Sequence, residues 1–252
     1  MYSYFLGGKD HYPADREAAE KVIAASPEVL LFVRQNRAFL RRAVRYLVAE
    51  CGIRQFIDIG TGLPTEGNVH EVARMSDPDV RVVYVDHDPV VLAHGRHMLH
   101  AVSGAAIIGH DLREPATILA DEKLRELIDF GEPVAVLLIA VLHFISDEAG
   151  PAGLIGQLVE PLAPGSYLAI SHATMDSRPE PAEETRRVER IYERTTTTAH
   201  GRSRDEVLGM LSGLDLVEPG LVWGPLWRPD PDTGLADDPG RANMYAVVAR
   251  KP

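Results

Sequence analysis

The stretch FIDIGTGLPTEG, residues 56–67, decides the fold. Its first four residues are apolar apart from Asp58, as in a short strand buried inside a sheet. Gly60 and Gly62 follow at once and predict a tight turn, because glycine adopts backbone conformations that other residues avoid. We expect a helix to begin after the turn, with Thr65 as its N-cap and with free amide groups that face a ligand.

Two residues of this stretch bear on the kind of ligand. A dinucleotide-binding turn carries a third glycine where this chain has Thr65. Asp58 lies inside the strand, shortly before the first glycine. Its charge would repel a pyrophosphate and attract a ligand that carries an amino group. The turn therefore favours a cationic ligand over NAD.

Strands and helices alternate on both sides of this stretch. Strand patterns recur at VRVVYVD, AAIIGHD, PVAVLLIAVLHFI and SYLAIS, with helix patterns between them. A long helix is predicted before the stretch, capped by Ser26 and ended by Gly52. Two late strands, LDLVEPGLVWGPLW and NMYAVVARK, predict an antiparallel pair at the sheet edge. The fold class is therefore α/β, with a mostly parallel sheet and helices on both faces.

Four successive strands place polar side chains at one edge of the predicted sheet. These are Asp58, Asp86, Asp111 and His143, at or just after the strand ends. Open α/β sheets bind ligands at the carboxyl ends of their strands, and a carboxylate after the second strand suits the two hydroxyls of a ribose. Each aspartate alone is better explained as a turn or cap residue. Their joint placement indicates a ligand site.

The order of elements and several motifs resemble the class I S-adenosylmethionine-dependent methyltransferases. Within that class, the chain resembles an actinobacterial S-adenosyl methyltransferase family, formerly a domain of unknown function. The motifs that carry this resemblance are LGGKDHYPADRE, FIDIGTGLPTEGNVHEVA, VVYVDHDPVVLAHG, HDLREP, AVLHFISD and LVEPGLVWGPLWRPD. The resemblance extends over nearly the whole chain. It implies a Rossmann-like sheet of seven strands, the last one inserted antiparallel, and S-adenosyl-L-methionine as the cofactor.

The resemblance also implies roles for the matching residues along the cofactor. They are Asp58, Gly60, Thr61 and Gly62 at the methionine part, Asp86 at the ribose, His87, Asp111 and Leu112 at the adenine, and Ala140 and Val141 at the sulfonium. Two positions depart from the family pattern: Ser3 stands where an aspartate is frequent, and His11 replaces a common asparagine.

No motif identifies the methyl acceptor. The chain lacks the Asn/Asp-Pro-Pro-Tyr/Phe motif of enzymes that methylate amines of DNA bases, and Cys51 does not follow a proline as in cytosine methyltransferases. We therefore expect a small-molecule acceptor, methylated on oxygen or nitrogen. His143 and His172 are the candidate general bases, because imidazole titrates near neutral pH. The alternative for each is a packing role beside the cofactor.

Two other functions fit parts of the sequence. A protein that binds the cofactor without catalysis would carry the same motifs. An NAD-dependent oxidoreductase is disfavoured by Asp58, by Thr65 and by the lack of a Tyr-x-x-x-Lys-like pair. No metal site is predicted, because the histidines of HGRHMLH, residues 94–100, have no carboxylate pair nearby.

The N-terminal segment LGGKDHY, residues 6–12, is expected to cover the site. It is not a phosphate loop, because no strand precedes it and Lys9 is not followed by Ser or Thr. We expect a flap in which Gly8, Asp10 and Tyr12 contact the substrate; Tyr12 would face the cofactor or the acceptor, and a simple turn cap is the alternative for Asp10. It would belong to a covering region, residues 1–52, joined to a cofactor-binding core, residues 53–252, in one structural domain.

Composition narrows the partners. A net charge of −11 over 252 residues disfavours nucleic-acid binding, which needs clustered positive charge. The five arginines from Arg34 to Arg45 are interpreted as the solvated face of the long helix, with a contact to an anionic substrate or partner as the alternative. Cys51 is the only cysteine, and no secretion signal or membrane-spanning run is recognisable. A cytoplasmic protein without a membrane partner is expected.

Overall fold

The computed structural model of the chain describes residues 1–8, 13–65, 67–177, 199–231 and 238–252. Two of the predicted substrate contacts, Asp10 and Tyr12, lie outside the described residues, as does most of the polar segment between the fifth strand and Ser203.

The strands follow the order predicted from the sequence. They are β1 Gln55–Ile59, β2 Arg81–Asp86, β3 Ala105–Gly109, β4 Ala135–Ile139, β5 Tyr167–Ala173, β6 Asp215–Leu216, β7 Val222–Trp223 and β8 Met244–Arg250. In the described part of the chain the α-helices are α1 Tyr2–Phe5, α2 Pro13–Ala25, α3 Val29–Ala49, α4 Val69–Arg74, α5 Pro89–Leu99, α6 Pro115–Ala120, α7 Glu122–Leu127, α8 Pro151–Val159 and α9 Arg204–Gly209.

The sheet has the order β3-β2-β1-β4-β5-β8-β6, with β7 also paired to β8. Strands β1 to β5 are mutually parallel, and β8 runs antiparallel to β5. The chain moves outward from β1 to β3 and then returns to place β4 on the other side of β1. A crevice at the carboxyl ends of β1 and β4 results, and this switch point is where sheets of this kind bind ligands.

The α/β fold class predicted from the sequence is confirmed, with one difference in the strand count. Among the residues that the structure describes, the sheet has eight strands and not seven. The segment predicted as one late strand forms both β6 and β7, and each pairs antiparallel with β8. Pro219 and Gly220 separate them, since Pro219 has no amide hydrogen for a strand ladder and Gly220 has a φ of 81°.

Helices cover both faces of the sheet, and each face has its own apolar core. On one face, Phe39 and Leu47 of α3 pack over Phe56 of β1. On the other face, Ile118 of α6 and Leu158 of α8 pack over the opposite side of the strands. Because both faces are covered, β1 is buried along its full length, as parallel strands require.

The N-terminal helices pack together beside the sheet. Phe5 of α1, Val22 of α2 and Val33 of α3 share a small apolar cluster. The α3 helix begins at Val29 with Glu28 at its N-cap position, so Ser26, which was predicted to cap it, does not; the Ser26 hydroxyl donates to Glu28 Oε2. No helix in the described ranges is long and apolar enough to cross a membrane.

Candidate functional site

The glycine turn after β1 is shaped by two left-handed residues. Gly60 and Gly62 have φ values of 73° and 66°. A Cβ atom on Gly60 would lie 2.4 Å from Val141 Cγ2, so only glycine allows β1 and β4 to approach here. The Gly62 amide donates to Asp86 Oδ2 at 2.8 Å, which ties the turn to the end of β2.

The helix after this turn begins later than the sequence predicted. Asn68, and not Thr65, is the N-cap of α4, and Asn68 and Glu71 form a capping box. Thr65 lies in the longer loop that results, where its amide donates to Asn68 Oδ1 at 3.2 Å. Thr65 also lines part of a cavity beside this loop.

A cavity of about 550 Å³ lies at the switch point, between the glycine turn, α1, α3 and α5. Its walls combine polar and apolar side chains from elements far apart in sequence. The lining residues are Met1, Tyr2, Ser3, Asn36, Arg37, Leu40, Asp58, Gly60, Thr61, Gly62, Leu63, Thr65, Asp88, Val90, Val91, His94, Ile139, Ala140 and Phe144.

Asp58 is the buried carboxylate of this cavity. Its exposed fraction is 7%, and burial raises its pKa to about 6, an effect that a hydrogen bond from Thr61 and the charge of Arg37 partly offset. The folded protein therefore holds a carboxylate that is costly to ionise without a neighbouring cation. A ligand ammonium group in the cavity would stabilise the charged form.

The other two strand-end aspartates lie beyond the described cavity walls. Asp86 accepts hydrogen bonds from the amides of Gly62 and Asp88. Asp111 is bound by the guanidinium of Arg113, whose hydrogen bonds lower its pKa. They continue the same sheet edge in the direction of β3, so a ligand longer than the cavity would reach them.

The remaining residues assigned to an adenine follow these aspartates. The side chain of His87 is 69% exposed, and its Nδ1 lies 3.9 Å from Asp86 Oδ1. Leu112 is buried in the core beneath this edge. Neither lines the cavity.

Ala140 and Val141 follow β4 and face the glycine turn. Ala140 has a φ of 53°, which L-residues other than glycine seldom adopt, and it lines the cavity. Its amide donates to Ser171 Oγ at 2.9 Å and Ser171 O at 3.2 Å. Val141 packs against Gly60 and against the core.

His172 does not line the described cavity. It is fully buried; its Nδ1 lies 2.7 Å from Ala173 O, and its Nε2 accepts from Arg202 Nη1 at 3.0 Å. Burial lowers its pKa to about 4. Both ring nitrogens of His172 are therefore hydrogen-bonded in the core, and its side chain does not line the cavity, so its role as a general base stays a prediction.

His143 is also buried, with its ring edge-on to Phe32 and to His172. Burial lowers its pKa well below the usual range, so the ring is neutral at pH 7. Its Nδ1 has no hydrogen-bond partner among the described residues. The next residue, Phe144, has its ring centroid 4.3 Å from that of His143 and lines the cavity.

The N-terminal segment contributes cavity walls that the sequence did not specify. Met1, Tyr2 and Ser3 line the cavity, whereas Gly8 packs behind them, where an added Cβ would lie 2.4 Å from Ser3 Oγ. No sequence pattern singled out these first three residues, because their position depends on how α1 docks on α3.

The arginines of α3 were interpreted as a solvated face, and two of them depart from that prediction. Arg42 is buried and donates to the carbonyls of Trp227 and Gly224, both at 2.8 Å. Arg37 lines the cavity, and its Nη2 donates to Gly67 O at 2.9 Å. The neighbouring Asn36 also lines the cavity. The sequence did not single it out, because its position at the cavity depends on how α1 docks on α3.

The sheet order and the cavity at its switch point define a class I methyltransferase fold. The N-methyltransferase NodS from Bradyrhizobium japonicum WM9, in complex with S-adenosyl-L-homocysteine, shares this fold at 13% identity, with 94% of this chain and 97% of that chain covered and a TM-score of 0.52. The model of the S-adenosyl methyltransferase family matches residues 1–252, so the chain belongs to that family, as the sequence motifs indicated.

Two solved structures are similar over almost the full chain. A DUF574 family protein from Streptomyces avermitilis MA-4680 is 42% identical, with 100% of this chain and 95% of that chain covered and a TM-score of 0.94. A protein from Thermobifida fusca YX, provisionally assigned as a methyltransferase, is 37% identical, with 99% and 92% covered and a TM-score of 0.91. A search of curated proteins finds no match. The family makes this chain an S-adenosylmethionine-dependent methyltransferase.

Proposed function

We propose that the protein transfers a methyl group from S-adenosylmethionine to an oxygen or nitrogen of a small molecule that enters the cavity beside α1. The observation that carries this proposal is the cavity itself, whose lining combines the buried Asp58 carboxylate and the open backbone of Gly62 with apolar side chains.

The residues present fit the cofactor. Gly62 has open space where a side chain would stand, so its backbone is free to lie against a ligand. Asp58 gains a counter-charge from an ammonium group. Each oxygen of Asp86 accepts one backbone hydrogen bond and retains a lone pair for a ribose hydroxyl. Along the sheet edge, Gly62 and Asp58 would therefore lie beside the methionine part of the cofactor, and Asp86 beside its ribose.

The full assignment follows the sheet edge from β4 to β3. The methionine part would be held by Asp58, Gly60, Thr61 and Gly62, and the ribose by Asp86. The adenine would contact His87, Asp111 and Leu112. The reacting centre would lie beside Ala140 and Val141. Bound here, the cofactor supplies an electrophilic methyl group, and the protein's task is to align the acceptor with it.

The acceptor would lie among Leu40, Ile139 and Phe144, under α1. These apolar side chains would exclude water from the acceptor. The net charge of −11 disfavours an anionic polymer such as DNA. We propose His143 as the proton acceptor, reached past Phe144, because its ring is neutral and its Nδ1 lacks a partner among the described residues.

A specific observation favours a second candidate, a cofactor-binding protein without catalysis. Neither His143 nor His172 lines the described cavity, so neither candidate base is in direct contact with the proposed acceptor position; the imidazole that does line it, His94 of α5, has its Nδ1 2.9 Å from Val90 O. An acceptor that needs no base would explain the same geometry, since methyl transfer to a neutral amine requires little proton transfer beforehand.

Residues 1–52 would form the cover of the site and residues 53–252 the cofactor-binding core. The support is that α1 and α3 supply one wall of the cavity and the strand ends supply the other. Removing residues 1–12 should weaken binding of S-adenosylmethionine while the thermal unfolding midpoint of the core stays nearly unchanged. Equal affinity after the truncation would show that the segment is not a cover.

The function is tested in two stages. Isothermal titration calorimetry should detect micromolar binding of S-adenosylmethionine and none of NAD. A labelled-methyl screen against metabolite extracts should then show transfer in the wild type, loss in Asp86→Ala, and no change in Asp79→Ala at an exposed position. Binding without transfer to any fraction would favour the non-catalytic candidate, and absence of binding would contradict both.

A further inference from the structure

A chain of hydrogen bonds links the end of β4 to the N-terminal helix. The Ala140 amide donates to Ser171 Oγ at 2.9 Å, Ser171 Oγ donates to Asn36 Oδ1, and Asn36 Nδ2 donates to Tyr2 Oη at 2.8 Å. Ser171 and Asn36 have exposed fractions of 0% and 2%. Water therefore has little access to the middle of the chain, and each group depends on its neighbours.

The direction of this chain is fixed by its first member. An amide N–H only donates, so the Ser171 oxygen accepts from Ala140 and its hydrogen must go elsewhere. Within the described ranges, Asn36 Oδ1 is the acceptor within its reach. The carboxamide of Asn36 is thereby oriented with its oxygen on Ser171 and its NH₂ group on Tyr2.

The consequence falls on Tyr2. Its oxygen accepts from Asn36, so its own hydrogen is free to be donated, and no described residue accepts it. Tyr2 and Asn36 both line the cavity. Burial raises the pKa of Tyr2, which keeps the phenol protonated at neutral pH. The chain ends in a hydrogen-bond donor that requires an acceptor atom on a ligand.

The charges around Tyr2 indicate which acceptor. Arg37, the next residue after Asn36, lines the same part of the cavity, and its positive charge acts on Tyr2. Asp58 supplies a carboxylate to the same cavity, within reach of the charge of Arg37. A phenol donor with a cation beside it suits an anionic oxygen, and the carboxylate of Asp58 suits an ammonium group. An α-amino acid carries both groups on one carbon.

We propose that Tyr2, oriented by Asn36 and Ser171, donates a hydrogen bond to the carboxylate at the amino-acid end of the cofactor, while Asp58 binds its ammonium group. This inference rests on the proposed function. It makes Tyr2 a binding residue contributed by α1, and it makes Asn36 and Ser171 positioning residues that act through Tyr2.

The test compares two ligands by calorimetry on the full chain. S-adenosylhomocysteine carries the amino-acid end, and 5′-methylthioadenosine has the same adenosine and thioether without it. Tyr2→Phe should lower the affinity for S-adenosylhomocysteine by about tenfold or more, as for a lost hydrogen bond to a charged group, and change the affinity for 5′-methylthioadenosine by less than about twofold.

A matched control lies on the same helix. Tyr4 donates to Glu20 Oε1 at 3.1 Å and does not line the cavity. Tyr4→Phe should leave the affinities for both ligands unchanged. If Tyr2→Phe weakens both ligands equally, or neither, the phenol does not contact the carboxylate and the inference is overturned.

The positioning role has its own variant, which also serves if Tyr2→Phe does not fold. Ser171→Ala frees the Asn36 carboxamide to rotate, so it should lower the affinity for S-adenosylhomocysteine selectively, by less than Tyr2→Phe does. The double variant should bind no more weakly than Tyr2→Phe alone, since both changes remove the same donor. If the losses in affinity of the two single variants add up in the double variant, Ser171 does not act through Tyr2 and the inference is overturned. A wild type that binds neither ligand would contradict the proposed function itself, a result distinct from each of these.

Discussion

Ser171 and His172 are neighbours in β5, yet they begin two different hydrogen-bond networks. Side chains of consecutive strand residues point to opposite faces of the sheet. Ser171 leads through Asn36 to Tyr2 and the cavity. His172 leads to Arg202, which also donates to Leu142 O at 3.0 Å and Ile145 O at 2.7 Å, and pairs with Asp147.

The two networks differ in how they end. The one through Arg202 is closed, because each of its strong donors meets a protein acceptor and the loop after β4 is fixed as a result. The one through Tyr2 ends at a donor that faces a cavity. Both contain buried polar groups, so burial and residue type alone do not identify a ligand-binding group. What distinguishes them is whether the last hydrogen bond is made within the protein.

The largest effect should come from breaking the closed network. Arg202→Met leaves two buried carbonyls and His172 Nε2 without a donor, so the free energy of unfolding in urea should fall by about 3 kcal/mol. The exposed Asp147 carboxylate, at 78%, contributes little to that figure. Arg204→Met, at an exposed position two residues on, is the control and should change stability by less than about 0.5 kcal/mol. A loss below about 1 kcal/mol in Arg202→Met would show that the network does not hold the loop.

The next effect concerns the carboxylate of Asp58, which lines the same cavity as Tyr2. In the ligand-free protein, Asp58 has a pKa of about 6, so the carboxylate is protonated below that pH and cannot pair with an ammonium group. The affinity for S-adenosylhomocysteine should therefore rise between pH 5 and 7 and then level off. Asp58→Asn should bind roughly tenfold more weakly at pH 8 and lose this rise. A wild-type affinity that is flat over this range would contradict the ammonium assignment.

A smaller effect should separate His172 from a catalytic base. Its folded pKa of about 4 lies below the ordinary value of 6.5, so the unfolded chain takes up the proton first and stability is lost as pH falls through this window. His172→Gln should lose about 1–2 kcal/mol at pH 7 and show a weaker fall in stability on acidification. The pH profile of methyl transfer should be the same as in the wild type. A shifted profile would show that His172 acts as a general base.

The smallest effect should follow Ala140→Gly at the start of the open network. Glycine tolerates the φ of 53° without strain but loses more backbone entropy on folding, so the free energy of unfolding should change by less than about 1 kcal/mol. Thermal and urea unfolding measure this directly. A loss of several kcal/mol would mean that the Cβ of Ala140 makes a packing contact of its own.

The strands and the glycine turn that surround the candidate site could be predicted from the sequence, because local patterns determine them. The apolar run of β1, the glycines at 60 and 62 and the strand ends at Asp58 and Asp86 all depend on neighbouring residues in the chain. Ser203 and Glu206 likewise have the three-residue spacing that predicts a capping box from the sequence alone, and the structure confirms it at the start of α9.

The missed features depend on contacts between distant segments. Arg42 was interpreted as solvated because the carbonyls that it binds belong to residues 224 and 227, far along the chain. Asn36 and Tyr2 form a pair only once α1 docks on α3. Thr65 and Asn68 are both good N-caps, and the choice between them depended on Glu71 completing the capping box.

The antiparallel course of β8 has a practical consequence for handling the protein. Arg250 pairs with Tyr167, at the start of β5, so Pro252 emerges at the edge of the sheet opposite the cavity. Met1, by contrast, is part of the cavity wall. A fluorophore, affinity handle or surface-immobilisation linker attached after residue 252 should therefore leave ligand titrations undisturbed, whereas the same group attached before Met1 would stand at the mouth of the site.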